Sequence, residues 1–81
     1  MFYVYLLKSK KTGEIYIGFT SDLRNRFLSH NSKENKSTKS AAPWNLVYYE
    51  AYSQRKYALD RERKLKQYKK GLGILKKRIG L

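Results

Sequence analysis

The chain has 81 residues, of which 19 are Lys or Arg and 6 are Asp or Glu, so its net charge is +13. We expect residues 1–81 to form a single domain with a small core, and the basic composition favours nucleic acid as a partner. No cysteine and only one histidine are present, which argues against disulfides and a zinc cluster and fits a reducing cytoplasm. No apolar run is long enough to span a bilayer, so no membrane attachment is expected.

The first two predicted elements are strands that form a hairpin. Phe2–Lys8 is largely apolar and aromatic, which is typical of a strand that is buried on both faces and central in its sheet. Glu14–Phe19 alternates in polarity, and Gly13 before it can adopt a positive φ. A simple register pairs Tyr5 with Tyr16, so that both hydroxyls point to one side, although a bulge would shift that register by one residue.

The next predicted element is a helix from Leu23 to about Asn31, preceded by the N-cap cluster Thr20-Ser21-Asp22. Arg26 and His30 lie four residues apart on it, beside its apolar stripe, so we expect them at the rim of the buried face. The Ser-, Asn- and Lys-rich segment Asn31–Ala42 has no periodicity and predicts a mobile loop.

The second half of the chain predicts a strand and two helices. Trp44 is expected to anchor in the core, and Leu46–Tyr52 has the composition of a strand. A helix is predicted from Gln54 to about Lys70, with Ser53 as its cap and Gly71 as its end. The expected stripe of this helix consists of Tyr57, Arg61, Leu65 and Tyr68.

A short amphipathic helix is predicted at the C-terminus, with Leu75 on its apolar side and Lys77 on its polar side. Residues 54–81 contain 11 basic and two acidic side chains. This third of the chain is therefore the expected electrostatic footprint on a polyanion.

Three side chains carry groups that phosphodiester hydrolysis would use, and each also has a purely structural interpretation. Tyr16 would take a proton from water, or it packs across the sheet. Arg26 would stabilise charge on a phosphoryl group, or it is a solvated helix arginine. His30 would polarise the tyrosine or the water, or bind a phosphate, or it ends its helix. The residue types alone leave these alternatives open.

Glu62 is an acidic residue beside an apolar stripe in a strongly basic segment. One carboxylate with waters and a substrate phosphate is a common way to hold Mg²⁺. The alternative is an exposed ion pair with Lys66, like one between Asp60 and Lys64. Because Asp60 and Glu62 diverge on a helix, a two-metal carboxylate cluster is not expected.

Taken together, these residues resemble the GIY-YIG nuclease domain, as found in small single-domain bacterial members. Four segments carry the resemblance in the family's order: Tyr3-Val4-Tyr5 for GIY, Tyr16-Ile17-Gly18 for YIG, Asp22-Leu23-x-x-Arg26-x-x-x-His30 for the helix motif, and Arg61-Glu62 for the metal-binding glutamate. The first segment reads YVY, so only its final tyrosine carries over. The resemblance covers nearly the whole chain.

The resemblance implies an α/β (α+β) fold with a three-stranded antiparallel sheet flanked by helices, and one-metal hydrolysis of a DNA strand. By this analogy Tyr16 is the base that activates water, assisted by Tyr5 and His30. Arg26 would stabilise the pentacovalent phosphate. Glu62 would hold a single Mg²⁺ or Mn²⁺.

We further expect contacts to nucleic acid from Gly18, Lys39, Arg61 and Lys66. The main hypothesis is an endonuclease in DNA repair or recombination that selects strand structure rather than base sequence, because phosphate contacts position a protein but do not specify sequence. A larger repair protein is a candidate source of specificity. The main alternative is a catalytically silent module of the same fold that binds DNA or RNA. A third is a membrane-surface or ribosome-associated protein that uses the last helix.

Overall fold

The computed structural model describes residues 1–81 and contains one antiparallel sheet of three strands in the order β2-β1-β3. The elements in chain order are β1 (Phe2–Ser9), β2 (Ile15–Thr20), α1 (Leu23–Asn31), a 3₁₀ helix (Lys39–Ala41), β3 (Trp44–Tyr52), α2 (Arg55–Gln67) and α3 (Lys69–Arg78). The predicted fold class is therefore confirmed. None of the helices combines the length and the apolar character that crossing a membrane requires.

β1 is the central strand, as predicted, because both of its faces are covered. Val4 and Leu6 are fully buried on the face that packs against α2 and α3. Tyr5 and Leu7 are fully buried on the opposite face, which packs against α1 and the 3₁₀ helix. Burial of each such side chain stabilises the fold by about 1.5–3 kcal/mol, so this strand carries much of the small core.

The hairpin register differs from the predicted one by two residues. Tyr5 pairs with Gly18 and not with Tyr16. The turn is longer than the simplest hairpin turn, because the Ser9 hydroxyl accepts two backbone N–H groups from within it and Gly13 adopts a φ of +79°. Since side chains alternate with a period of two, this shift leaves both tyrosines on the same face of the sheet.

α1 has the predicted bounds and is fixed at both ends. Asp22 is its N-cap and accepts the backbone N–H of Asn25 at 3.2 Å. At the C-terminal end, the Asn31 amide bonds the backbone N–H and C=O of Trp44 at 2.6 and 3.0 Å. The following segment, predicted to be a featureless loop, instead contains a 3₁₀ helix and buries Thr38. Trp44 is buried in the core, as predicted.

The bounds of the last two helices differ from the prediction. Gln54 and not Ser53 is the N-cap of α2, and its side chain makes no capping hydrogen bond. α2 ends at Gln67, because Tyr68 adopts extended backbone angles. Gly71 therefore lies inside α3 instead of ending the preceding helix. Ser53 and Gly71 therefore do not set the helix boundaries that the sequence suggested. Packing of both helices on the sheet decides these boundaries instead.

The predicted stripe of α2 is only partly correct. Leu65 is buried and Arg61 is half-buried, but Tyr57 and Tyr68 are more than half exposed. Ala58, two turns before Leu65, takes the second buried position. The helix face that carries these two residues packs on the sheet, and the two tyrosines lie beside that face.

The last helix is amphipathic, as predicted. Leu75 on α3 is buried against the sheet-facing core, while Lys77 is exposed. The basic side chains of the C-terminal third thus surround one face of the sheet without entering its core.

Candidate active site

Tyr5 lies in the middle of β1 and has no solvent exposure. Its ring covers the backbone of Gly18 on β2, so that a Cβ at position 18 would overlap the ring carbon Cζ and the hydroxyl oxygen of Tyr5. The absence of a side chain at Gly18 is what allows the phenol to extend across the neighbouring strand. The hydroxyl thereby reaches α1.

His30, near the end of α1, is fully buried and hydrogen-bonded at both ring nitrogens. Its Nε2 lies 2.9 Å from the Tyr5 hydroxyl, and its Nδ1 lies 2.8 Å from the Thr38 hydroxyl. The Thr38 hydroxyl in turn donates to the carbonyl of Asn35 at 3.4 Å. From this network we assign the tautomer in which Nδ1–H donates to Thr38 and Nε2 accepts from Tyr5.

Burial keeps both members of this pair uncharged near neutral pH. Burial lowers the pKa of His30 from its ordinary 6.5, and the positive charge of Arg26 lowers it further. Burial also raises the pKa of Tyr5 above 10.0, an effect that a hydrogen-bonding interaction with Arg26 opposes and the nearby Tyr16 reinforces. His30 is therefore a neutral acceptor, and Tyr5 a neutral donor.

Tyr16 is half-buried, whereas Tyr5 is fully buried. Its ring centroid lies 4.8 Å from that of His30, 6.3 Å from Tyr5 and 6.2 Å from Trp44. These three rings restrict the orientation of the Tyr16 ring. Tyr16 is consequently the phenol that a ligand from solvent can approach, whereas Tyr5 supports it from below.

Arg26 lies one helical turn before His30 and is half-buried. The hydroxyls of Tyr5 and Tyr16 lie near its guanidinium, and the interaction with Tyr5 is the main reason that its pKa is raised above that of an ordinary arginine. Arg26 therefore stays protonated at any physiological pH. It supplies a fixed positive charge beside both phenols.

Glu62 reaches the same site from α2, which packs on the other face of the sheet. Its negative charge raises the pKa of Tyr5, so the carboxylate lies within electrostatic range of the phenols. Its side chain is 19% exposed and pairs with Lys66, Nζ to Oε2, at 3.2 Å. Lys66 and Tyr16 line one cavity. The structure thus brings Glu62 to the edge of the sheet at which Tyr16 lies.

The donor set at this edge limits which metal ion it could hold. The chain contains no group of three or more His, Cys, Asp or Glu side chains arranged to bind a metal. A hard divalent cation held by one carboxylate, waters and a substrate phosphate requires no such group. The nearest contact of Glu62 in its ion pair with Lys66 is made through Oε2. These residues fit a single cation completed by its substrate, and they do not fit a two-metal centre.

The four residues predicted to contact nucleic acid lie in different parts of the molecule. Lys66 is at the site, and Lys39 is exposed in the 3₁₀ helix. Arg61 is directed away from the site to Glu50 on β3, which accepts from its Nε at 2.9 Å and its Nη2 at 3.0 Å. Gly18 is buried beneath the tyrosine of the neighbouring strand. The contacts themselves remain predictions.

Two residues that shape the site were missed by the sequence reasoning. Thr38 holds the imidazole of His30, and Trp44 packs against Tyr16. The one indication in the sequence of a residue such as Thr38 is that a buried histidine needs a hydrogen-bond partner for each of its two ring nitrogens. That signal does not distinguish Thr38 from the other hydroxyl-bearing residues of the same loop.

The fold and the groups at this edge define a nuclease-type α+β domain. A comparison with protein-family models agrees, because the model of the GIY-YIG catalytic domain matches residues 1–73. The chain therefore belongs to the GIY-YIG family. Nucleases of this family typically use divalent metal ions.

The relatives are UPF0213 proteins, a name that states no activity. One from Bacillus pumilus is 37% identical, over 95% of this chain and 82% of its own length. One from Staphylococcus aureus is 37% identical, over 94% of this chain and 95% of its own length. The solution NMR structure of a UPF0213 protein from Bacillus halodurans is 30% identical and has a TM-score of 0.60, covering 99% of this chain and 88% of that one. The predicted resemblance to small bacterial members is confirmed.

Proposed function

We propose that this protein is a divalent-metal-dependent endonuclease that hydrolyses DNA phosphodiester bonds and selects strand structure over base sequence. We propose further that residues 1–81 act as a single cytoplasmic domain in DNA repair or recombination. The observation that supports this most is the convergence of Tyr16, Arg26 and Glu62 at one edge of the sheet, within a chain of net charge +13. Family membership supplies the reaction class.

In the proposed reaction, the half-buried Tyr16 acts in its phenolate form and accepts the proton of the attacking water. The water oxygen forms a bond to phosphorus as the bond from phosphorus to the leaving sugar oxygen breaks, and that oxygen leaves as an alkoxide that takes a proton from solvent. Tyr5 and His30 position Tyr16: the imidazole accepts a hydrogen bond from the Tyr5 hydroxyl and packs against the Tyr16 ring. Neither needs to change its charge, which suits two buried groups.

Arg26 is the proposed stabiliser of the charge that develops on the phosphoryl oxygens. Its guanidinium offers several N–H donors and lies near the two phenols, where it is already charged when the negative charge forms. Glu62 would hold the single Mg²⁺ or Mn²⁺. That ion, when bound, would supply Lewis-acid stabilisation of the phosphoryl group and the leaving oxygen.

The DNA would be held mainly through its phosphates. Exposed lysines such as Lys39 and Lys66 are proposed contacts, Arg61 would contribute the N–H groups that it does not donate to Glu50, and Gly18 would contribute through its backbone. So small a surface has little room to read a long sequence in the grooves, and phosphate contacts do not specify bases. A partner that supplies specificity, such as a larger repair protein, fits this arrangement.

The experiment is cleavage of labelled flap, branched, nicked and linear DNAs with Mg²⁺ or Mn²⁺. Tyr16→Phe and Arg26→Ala are expected to lower the rate by about 10²–10⁴-fold, the usual contribution of a general base or an oxyanion donor. The matched controls Tyr57→Phe and Arg63→Ala change exposed residues of α2 and should cut normally. Full activity of both site variants would refute the assigned roles.

A catalytically silent module that binds DNA or RNA is the second candidate. It is favoured by one observation: the carboxylate of Glu62, the proposed metal ligand, is engaged by Lys66. Salt-sensitive nucleic-acid binding without metal-dependent cleavage of any substrate in the panel would select this candidate. Including matched RNA strands in the same panel separates the two polymers.

A further inference from the structure

A cavity of about 350 Å³ opens beside Tyr16 along the outer edge of β2. It lies between this strand and the junction of α2 with α3. The residues that line it, which we call the edge groove, are Ile15, Tyr16, Ile17, Leu65, Lys66, Lys69 and Leu72. This volume is in the range of ligand sites, which are mostly apolar with a few polar groups that fix orientation.

The chemistry of the edge groove is divided between apolar walls and two cations. Ile15, Ile17 and Leu72 are half-buried and form the walls, while Lys66 and Lys69 are exposed at the rim. Lys69 has no ion-pair partner in the protein, Lys66 pairs with Glu62, and no acidic residue lines the groove. Such a surface suits a ligand that is apolar in one part and multiply anionic in another.

We propose that the edge groove holds the base of an unpaired nucleotide adjacent to the phosphodiester at Tyr16, with Lys66 and Lys69 on the neighbouring phosphates. Nucleobases have an apolar face in every sequence, so this recognition would be tolerant of sequence. A base within a duplex is stacked and paired, and its faces cannot enter the groove. The inference rests on the proposed nuclease function, and it names an unpaired strand as the substrate class.

Two observations favour a nucleotide over another occupant. The edge groove is continuous with the proposed reaction centre, because Tyr16 belongs to both. A second copy of the chain would bring another +13 of charge against the rim lysines, which like-charge repulsion opposes. A polyanion satisfies the same lysines favourably.

The test is methyl NMR of the metal-free protein with thymidine 3′,5′-bisphosphate as the probe. A base in the edge groove would shift the methyl resonances of Ile15, Ile17 and Leu72 through its ring current, in a saturable way. Deoxyribose 3′,5′-bisphosphate, which lacks the base, should leave them nearly unchanged. The methyl groups of Ile74, which lines a different cavity, serve as the internal control.

A matched pair of variants assigns the phosphate contacts. Lys69→Ala is expected to weaken binding of the bisphosphate by about two- to five-fold, the effect of an exposed charge pair. Lys70→Ala removes the same charge from the next residue, which does not line the groove, and should leave the affinity unchanged. Equal effects of both substitutions would show non-specific attraction and overturn the proposal.

The remaining outcomes separate this proposal from the nuclease proposal. If DNA is cleaved but the groove methyls do not respond to the base, the edge groove proposal fails and the nuclease proposal stands. If the methyls respond and no DNA is cleaved, the nuclease proposal fails and the binding site stands. Shifts of the same methyls with protein concentration alone would identify a second copy as the occupant and overturn the proposal.

Discussion

The hydroxyl of Tyr5 is a polar group in the middle of a strand that is buried on both faces. It is tolerated there because it donates a hydrogen bond to the His30 imidazole and because Gly18 leaves room for its ring. The same residue interacts with Arg26 and contacts Tyr16, so its position is set from several sides. At the scale of single residues, the site is built around one buried phenol, that of Tyr5, which packs beneath the half-buried phenol of Tyr16.

Gly18→Ala is predicted to destabilise the protein. The new Cβ overlaps the ring of Tyr5, and relief of such overpacking in a core typically costs about 1–3 kcal/mol. Urea unfolding followed by circular dichroism measures the change. Gly73→Ala is the control: it has open space within α3, so it should stabilise by about 0.5–1 kcal/mol. The same sign for both substitutions would contradict the close approach of Tyr5 to Gly18.

The lowered pKa of His30 predicts a pH-dependent stability. Below about pH 6.5 the unfolded chain binds a proton at His30, whereas the folded protein binds it only at a lower pH. The free energy of unfolding therefore falls as the pH drops from about 6.5 toward the pKa of His30 in the folded protein. Unfolding curves between about pH 7 and pH 5 measure this slope. His30→Gln should reduce it. Glu50, whose pKa is lowered from 4.5, acts only at more acidic pH and does not obscure the comparison.

At the scale of elements, the contacts between α1 and β3 fix the position of the site. The Asn31 side chain bonds the backbone of Trp44, and this clamp lies directly after His30. The sequence predicted the existence and type of every strand and α-helix, because hydrophobic periodicity reports which face is buried. It did not predict the hairpin register or the end of α2. Those depended on the Ser9 hydroxyl capping its turn and on packing, which no local pattern contains.

Asn31→Ala is predicted to destabilise the protein by about 1–3 kcal/mol, because two partly buried backbone groups of Trp44 lose their partner. It should also lower DNA cleavage more than its effect on the folded fraction explains, since α1 carries Arg26 and His30. Asn45→Ala, at an exposed strand position, is the matched control and should do neither. Denaturant unfolding together with a cleavage assay distinguishes these results.

At the scale of the whole molecule, two helices from opposite faces of one sheet deliver complementary charges to one edge. α1 brings Arg26 to the phenols, and α2 brings Glu62. The resemblance to the GIY-YIG family named the candidate residues of this site from the sequence, and their roles stay predictions. The cavity along β2 and the role of Thr38 could not be predicted from the sequence, because both depend on segments that are distant in the chain and meet only in the fold.

The charge of the molecule predicts strongly salt-dependent DNA binding. The logarithm of the binding constant should fall linearly with the logarithm of salt concentration, with a slope of about −0.9 per phosphate contact on duplex DNA. Lys66→Ala and Lys39→Ala should each reduce the slope by about 1. Arg61→Gln should change it less, because Glu50 already engages that guanidinium. Fluorescence anisotropy at several salt concentrations gives these slopes, and a salt-independent affinity would contradict the phosphate-contact model.

The most direct test of the central claim compares two carboxylates of the same helix. Glu62 pairs with Lys66, which lines the cavity beside Tyr16, whereas Asp60, two residues earlier, forms exposed ion pairs with Arg63 and Lys64. Single-turnover cleavage of a branched DNA with Mg²⁺ should fall by about a hundredfold or more in Glu62→Gln, from the loss of the metal ligand, and remain at the wild-type rate in Asp60→Asn. Equal rates in the two variants, whether both normal or both reduced, would contradict the assignment of Glu62 to a metal-binding catalytic site.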